Sequence, residues 1–276
     1  MRTIISFAIV LLGVPGIVLA IQLHRQNTGI GGPSGYLEIE QPWALDADDP
    51  ALRDPGVAVL CYHYISPPPT PVHVARVAAA VLLNLPTIDE KHFWSTPLGM
   101  FEAHLRWLQE NGYETLSAQE VADIMYGRRE APEKAVAITF DDGERSLLDH
   151  GLPLLEKYDM KATLFLVTEQ VGKKWKGLDM LSWAELAQLQ SSGRISIESH
   201  SHDMHYKVKS YGGWMRPVFV DRVPDGGDHG SSDVAFVLAD LTNSRNSIRE
   251  NIGREPRWLA WPYGWANDTL DSLCLL

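Results

Sequence analysis

Ala135-Val136-Ala137-Ile138-Thr139-Phe140-Asp141-Asp142-Gly143 is the stretch on which the reading of this chain turns. Six residues without a charge run into two adjacent carboxylates and a glycine. A continuous apolar run of this length reads as a strand buried on both faces, the kind found in parallel sheets. Successive side chains on a strand point to opposite sides, so neighbouring aspartates diverge. At a strand end that divergence is useful: one carboxylate can meet a cation while the other faces water beside it. Two neighbouring acids without a cation would repel, and one would tend to keep its proton. Gly143 lets the backbone turn sharply or approach a ligand closely. A plainer reading is available, with Asp142-Gly143 as a turn and Asp141 as a helix N-cap, and this segment alone balances the two.

Outward from this strand, short apolar runs alternate with helical patterns. Strands are predicted over 57–62, 113–116, 135–140, 162–167, 195–199 and 257–261, and helices over 98–111, 117–126, 146–158, 182–191, 234–252 and 266–275. Ser117-Ala118-Gln119-Glu120 and Ser182-Trp183-Ala184-Glu185 have the form of capping boxes. In 98–111, Met100, Phe101, His104, Leu105, Trp107 and Leu108 are expected to share one face. Strands each followed by a helix imply an α/β domain with a covered parallel sheet, and with six such units a (β/α) barrel. Residues 66–97 and 206–233 interrupt the rhythm and are too long for plain connections.

Three further segments end predicted strands with unusual chemistry. Glu198-Ser199-His200-Ser201-His202-Asp203-Met204-His205 packs three imidazoles into six residues. A lone histidine is usually structural, but this density after an apolar strand points to a metal site. Spacing does not choose the pair. His200 and His202 share a face of an extended segment, whereas His200 and His205 converge only if the chain turns between them. Trp258-Leu259-Ala260-Trp261-Pro262-Tyr263-Gly264 reads either as strand-to-turn punctuation or as a groove wall, in which Trp261 and Tyr263 stack on sugar rings and backbone N–H groups near Gly264 meet an oxyanion. Leu60-Cys61-Tyr62-His63-Tyr64 places one more histidine at a strand end, where taken alone it is a structural residue. All four segments fall at C-terminal strand ends, the rim on which barrel active sites form.

The chain has 276 residues, 45% hydrophobic and 21% charged, with a formal net charge of −11. That composition is globular, and so acidic a chain lacks the basic footprint of a nucleic-acid binder. Its 2 cysteines, Cys61 and Cys274, give neither a disulfide framework nor a CxxC metal site. Arg2 precedes an uncharged apolar stretch, Ile4 to Ile21, ending Val18-Leu19-Ala20. Residues 1–21 therefore read as a signal peptide cleaved after Ala20 or as an N-terminal membrane anchor, and the chain as exported to the periplasm, cell surface or extracellular space. Residues 22–55, rich in Gly, Pro, Asp and Gln, read as a linker, and 56–276 as the domain.

Thr139-Phe140-Asp141-Asp142-Gly143 followed by the histidine cluster and Pro262-Tyr263-Gly264 resembles the polysaccharide deacetylases of the NodB-homology group, carbohydrate esterase family 4. Cys61-Tyr62-His63, Ser199-His200 with His205, and Trp261-Pro262-Tyr263-Gly264 look most like the PgaB/IcaB type of poly-β-1,6-N-acetyl-D-glucosamine N-deacetylase. The resemblance covers about residues 57–268 and implies a distorted (β/α) barrel of about seven strands. It implies a divalent metal (Zn, Ni, Co or Fe) on Asp142, His200 and His205, with Asp141 as base and His63 as general acid. It also implies an N-acetylglucosamine polymer as substrate and other exopolysaccharide export components as partners. Trp261 stands where most of the family has arginine. With only six strands predicted and the sequence ending inside a predicted helix, the domain is expected to be incomplete at its C-terminus. Three other expectations compete: an impaired deacetylase that only binds carbohydrate, a chitin or peptidoglycan deacetylase, and a glycoside hydrolase pairing Asp141 with Glu198.

Overall fold

The computed structural model describes residues 8–11, 17–20, 57–68, 94–209, 214–222 and 232–274. The linker expected over 22–55 lies outside them, as does most of 66–97. The strands are β1 (Ala8–Leu11), β2 (Ile17–Ala20), β3 (Ala58–Tyr62), β4 (Tyr64–Ser66), β5 (Ser95–Pro97), β6 (Glu114–Leu116), β7 (Ala135–Asp142), β8 (Ala162–Leu166), β9 (Lys174–Trp175), β10 (Leu178–Asp179), β11 (Ile195–Ser199), β12 (Lys207–Lys209) and β13 (Met215–Pro217). The helices are α1 (Leu98–Glu110), α2 (Ala118–Met125), α3 (Leu152–Lys157), α4 (Trp183–Ser191), α5 (Val218–Arg222), α6 (Ser232–Ile252) and α7 (Asp268–Leu273). The fold is mixed α/β with a central parallel sheet. Among the described residues that sheet has five strands, β3, β6, β7, β8 and β11.

The chain divides into two compact units, one of residues 1–62 and 66–138, the other of residues 63–65 and 139–276. In the first, β6 pairs in parallel with the opening half of β7, Glu114 opposite Ala135 and Leu116 opposite Ala137. Val57, Val59, Leu116, Ala135 and Ala137 form its core, with Val121 and Ile124 of α2 packed on it. Ser117 caps α2 with the reciprocal bonds of a capping box, as the sequence predicts. On α1, Phe101, Leu105 and Leu108 are buried at helical spacing, but Trp107 falls between turns and is 54% exposed. The expected six-residue face is therefore narrower than predicted. β1 and β2 pair antiparallel, and among the described residues no helix is long and apolar enough to cross a membrane.

In the second unit the closing half of β7 pairs in parallel with β8, and β8 with β11. β7 and β8 are almost wholly buried, the burial expected of a sheet covered on both faces. A second capping box, Ser182 with Glu185, opens α4. The helix predicted over 146–158 begins as a π-turn, Leu147–Gly151, before α3. The strand predicted over 257–261 is reduced to a single parallel bridge of Leu259 to Ser199. Met204, Val218, Phe219, Val234, Val237, Trp261, Leu270 and Leu273 belong to one buried cluster of this unit.

Gly143 closes β7 at φ +97°, and a Cβ built there would lie 2.5 Å from Leu166 Cδ1. Leu166 is itself fully buried and has nowhere to retreat. Gly143→Ala is therefore expected to cost about 2–4 kcal/mol, combining left-handed strain with overpacking. Gly177→Ala, at φ +78° with open space around it, should cost only about 1–2 kcal/mol. Urea midpoints of the two variants measure the difference, and equal losses would refute the packing argument.

Candidate metal centre

The end of β7 separates its two acids as strand alternation requires. Asp142 turns inward and is 2% exposed, while Asp141 remains part-exposed. Asp142 adopts φ +73°, a left-handed conformation that aspartate tolerates better than most residues. Its Oδ2 accepts a hydrogen bond of 2.9 Å from the buried Tyr64 hydroxyl. Burial alone would raise the Asp142 carboxyl. The charges of His205, His63 and His200 and the Tyr64 bond outweigh that and hold it below the usual carboxylate range.

Beyond β11 the chain makes the turn that spacing left undecided. Ser201 takes φ +72° and redirects the backbone, bringing His205 back beside His200. Their ring centroids are 5.1 Å apart. His200 Nδ1 lies 2.8 Å from the Ala260 carbonyl, an acceptor only, so Nδ1 carries a proton and Nε2 is the nitrogen left to face Asp141 and a ligand. His202 points elsewhere: its Nδ1 bonds Thr168 Oγ1 at 2.9 Å and its Nε2 lies 3.3 Å from Glu169. Of the three imidazoles, His200 and His205 join Asp142, and His202 does not.

Ligand atoms of Asp142, His200 and His205 all lie within 4.8 Å of one another. Asp142 Oδ1 and His205 Nδ1 are buried without a hydrogen-bond partner. Burial presses the His205 imidazole down to about 3 against the opposing pull of Asp142. One carboxylate and two imidazoles, with His205 Nε2 3.4 Å from an Asp142 Oδ1 that has no hydrogen bond, fit a divalent cation, which is a natural partner for such groups.

Asp141 stands beside this group, its Oδ2 3.9 Å from His200 Nε2 and 3.9 Å from His63 Nε2. The Tyr263 and Trp175 rings lie 4.5 and 5.1 Å from that of His205. The ammonium groups of Lys207 and Lys176 lie over those two rings. Tyr263 takes φ +63°, the strained turn foreshadowed by Pro262-Tyr263-Gly264. Sequence reasoning missed Tyr64 and Trp175. Tyr64 had a signal in its place beside His63, whereas Trp175 ends β9, in the undistinguished hairpin that β9 forms with β10.

Two expectations for the third segment need correction. Trp261 is 7% exposed, stacks on Phe219 with centroids 5.1 Å apart, and donates from Nε1 to Asp271 at 3.0 Å. Its indole is core, fixed by packing, and presents no face to a sugar. The Gly264 N–H donates to the Trp261 carbonyl at 3.0 Å and is consumed by the turn instead of meeting an oxyanion. Glu198 also leaves the chemistry. Its oxygens accept from Arg254, from Arg257 N at 2.7 Å and from Trp258 N at 3.1 Å, which fastens 257–258 to β11 and removes the carboxylate that a glycosidase pair would need.

Known proteins resemble this chain in sequence and fold. The chain is 28% identical over 178 residues to the poly-β-1,6-N-acetyl-D-glucosamine N-deacetylase of Staphylococcus aureus strain MRSA252, covering 63% of this chain and 56% of that protein. It is 29% identical over 170 residues to the enzyme of the same name from Staphylococcus epidermidis strain ATCC 35984, covering 61% and 53%. The chain thus spans about half the length of these relatives. Among solved structures, IcaB from Ammonifex degensii superposes with a TM-score of 0.62 at 27% identity, over 79% of this chain and 78% of that one. The BpsB deacetylase domain from Bordetella bronchiseptica gives 0.60 at 26%, over 79% and 84%. The family profile described as polysaccharide deacetylase matches residues 128–274. That span is more than half of the 276 residues and holds β7, the histidine turn and the Pro262-Tyr263-Gly264 segment, and the chain belongs to the polysaccharide deacetylase family.

Proposed function

We propose that this chain is a metal-dependent hydrolase that removes N-acetyl groups from an N-acetylglucosamine polymer, the poly-β-1,6-linked glycan of biofilm matrix. The observation that carries the reading is the convergence of Asp142, His200 and His205, with Asp142 Oδ1 orphaned among them and Asp141 alongside. The names of the relatives supply the glycan. An ion held by the three residues would polarise the acetamide carbonyl and acidify a water.

The chain's own groups do the rest. Asp141, part-exposed and next to the ligands, takes the proton from the attacking water at a carboxylate oxygen. His63 delivers a proton to the leaving nitrogen as the C–N bond breaks, releasing acetate and an amine. It lies within 3.9 Å of Asp141, so the donor and the acceptor attend the same reacting centre. The Tyr263 backbone N–H is assigned to the oxyanion, and the rings of Tyr263 and Trp175 to the sugar. Tyr64 holds Asp142 in the ligand orientation. Residues 1–21 act as the export signal or membrane anchor and 22–55 as a linker. Outside the cell, the domain of residues 56–276 meets the polymer and the export components. The bridge of Leu259 to Ser199 supports a further strand position beyond β11, as a distorted barrel of about seven strands requires.

Acetate release from a β-1,6-linked N-acetylglucosamine oligomer, abolished by a chelator and restored by Zn, Ni, Co or Fe, tests the reading. A β-1,4-linked oligomer hydrolysed at least as fast would replace the proposed glycan. Asp142→Asn should lose metal and activity together. Asp141→Asn should hold metal normally yet lose about 10²–10⁴-fold in kcat, and turnover near wild type would remove Asp141 as base. His202→Ala, which takes away an imidazole that faces Thr168 and Glu169, is expected to bind metal within about threefold of wild type, less than the 10–100-fold typical of residues supporting a ligand. Equilibrium dialysis against each ion measures this.

A further inference from the structure

We infer that Asp240 and Ser244, on the buried stripe of α6, are positioning residues that hold the histidine turn in the shape metal binding needs. The inference rests on the site proposed above. Val234, Val237, Asp240, Ser244 and Ile248 follow one another at steps of three and four along α6, and all five are buried. Three are apolar, as a core-facing stripe demands. The two polar ones sit in its middle, where an unbonded carboxylate or hydroxyl would be costly.

Both are fully used, and both act on the same turn. Asp240 Oδ1 accepts from the His202 N–H and Oδ2 from the Asp203 N–H, each at 2.7 Å. Ser244 Oγ lies 2.8 Å from Ser199 Oγ, which accepts from the Ser201 N–H at 3.2 Å. On the acceptor side, the Ser201 and His202 carbonyls receive N–H groups from Thr168 and Glu169. Thus Asp240 takes the donors of residues 202 and 203, Ser199, bonded to Ser244, takes that of 201, and the 168–169 segment takes the acceptors of 201 and 202. These are the peptides between the two ligating imidazoles, and they include Ser201 with its φ of +72°. Backbone N–H groups forced into a tight turn need acceptors placed for them, and a carboxylate with two oxygens can serve adjacent peptides at once. A contact that served only to pack the helix would be made by apolar side chains, as Val234 and Val237 make theirs in the core cluster.

The test is Zn²⁺ affinity by chelator competition, with metal-free melting temperature read in parallel. The panel is wild type, Asp240→Ala, Asp240→Asn, Ser244→Ala, Val237→Ala and Asp142→Asn. Asp240→Ala and Asp240→Asn should bind Zn²⁺ about 10–100-fold more weakly, and Ser244→Ala a smaller multiple more weakly. Val237→Ala, which removes packing from the same helix face, should lower the melting temperature and leave the affinity alone. If Asp240→Asn and Ser244→Ala bind Zn²⁺ as wild type does, the positioning role is overturned, whatever Asp240→Ala does to folding. Equal affinity losses in Val237→Ala and Asp240→Ala would overturn it as well, by reducing the effect to stability. Failure of the wild type itself to bind Zn²⁺, or retention by Asp142→Asn, would instead overturn the metal centre and take this inference with it.

Discussion

Asp142 carries a carboxylate to a place that water barely reaches, and a charge removed from water has to be met by opposite charge or by donated hydrogen bonds. Much of the second unit can be understood as meeting that requirement. Tyr64 gives one hydrogen bond to Oδ2, and the imidazoles of His200 and His205 are brought up from another strand on the side of Oδ1. Oδ1 is nonetheless left without a hydrogen bond, with His205 Nε2 3.4 Å away. A site satisfied this far and no further is a site shaped for a cation.

The backbone accepts strain to reach that arrangement. Asp142, Ser201 and Tyr263, none of them glycine, take left-handed conformations, and each stands at the end of one of the segments that converge. Such conformations persist only where the surroundings over-determine them. Here they are fixed by the Tyr64 bond, by the hydrogen bonds on either side of residues 201–203, and by the turn that closes from Gly264 N–H to the Trp261 carbonyl.

The sequence made the five strands of the central sheet and both capping boxes legible for a common reason: each depends on residue type at short spacing. Thr139-Phe140-Asp141-Asp142-Gly143 announces a buried strand with acids at its end, and Ser117 with Glu120 announces a helix start. What spacing could not supply was direction. Whether His202 or His205 joins His200 depends on a single positive φ at Ser201, which serine does not advertise. Trp261 read as a sugar platform because aromatic residues at a strand end serve either core or groove, and only the position of Phe219 decides. Asp240 was hidden inside a helical pattern. Its sole mark is an acid in line with Val234, Val237 and Ile248, and that mark has meaning only once the helix is known to pack polar groups against a turn.

The bond from His200 Nδ1 to the Ala260 carbonyl joins residues 60 positions apart in the chain. The proton on one imidazole nitrogen is thereby assigned by an amide, and the methyl group of Ala260 takes no part. Any side chain that leaves this amide where it is would do the same job, so the type of residue at 260 carries no information about a group on which the His200 imidazole relies. A displacement of the main chain there, by contrast, would rotate the imidazole or release its tautomer even with every ligand side chain intact. Tolerance to substitution and sensitivity to backbone movement thus coincide at one position.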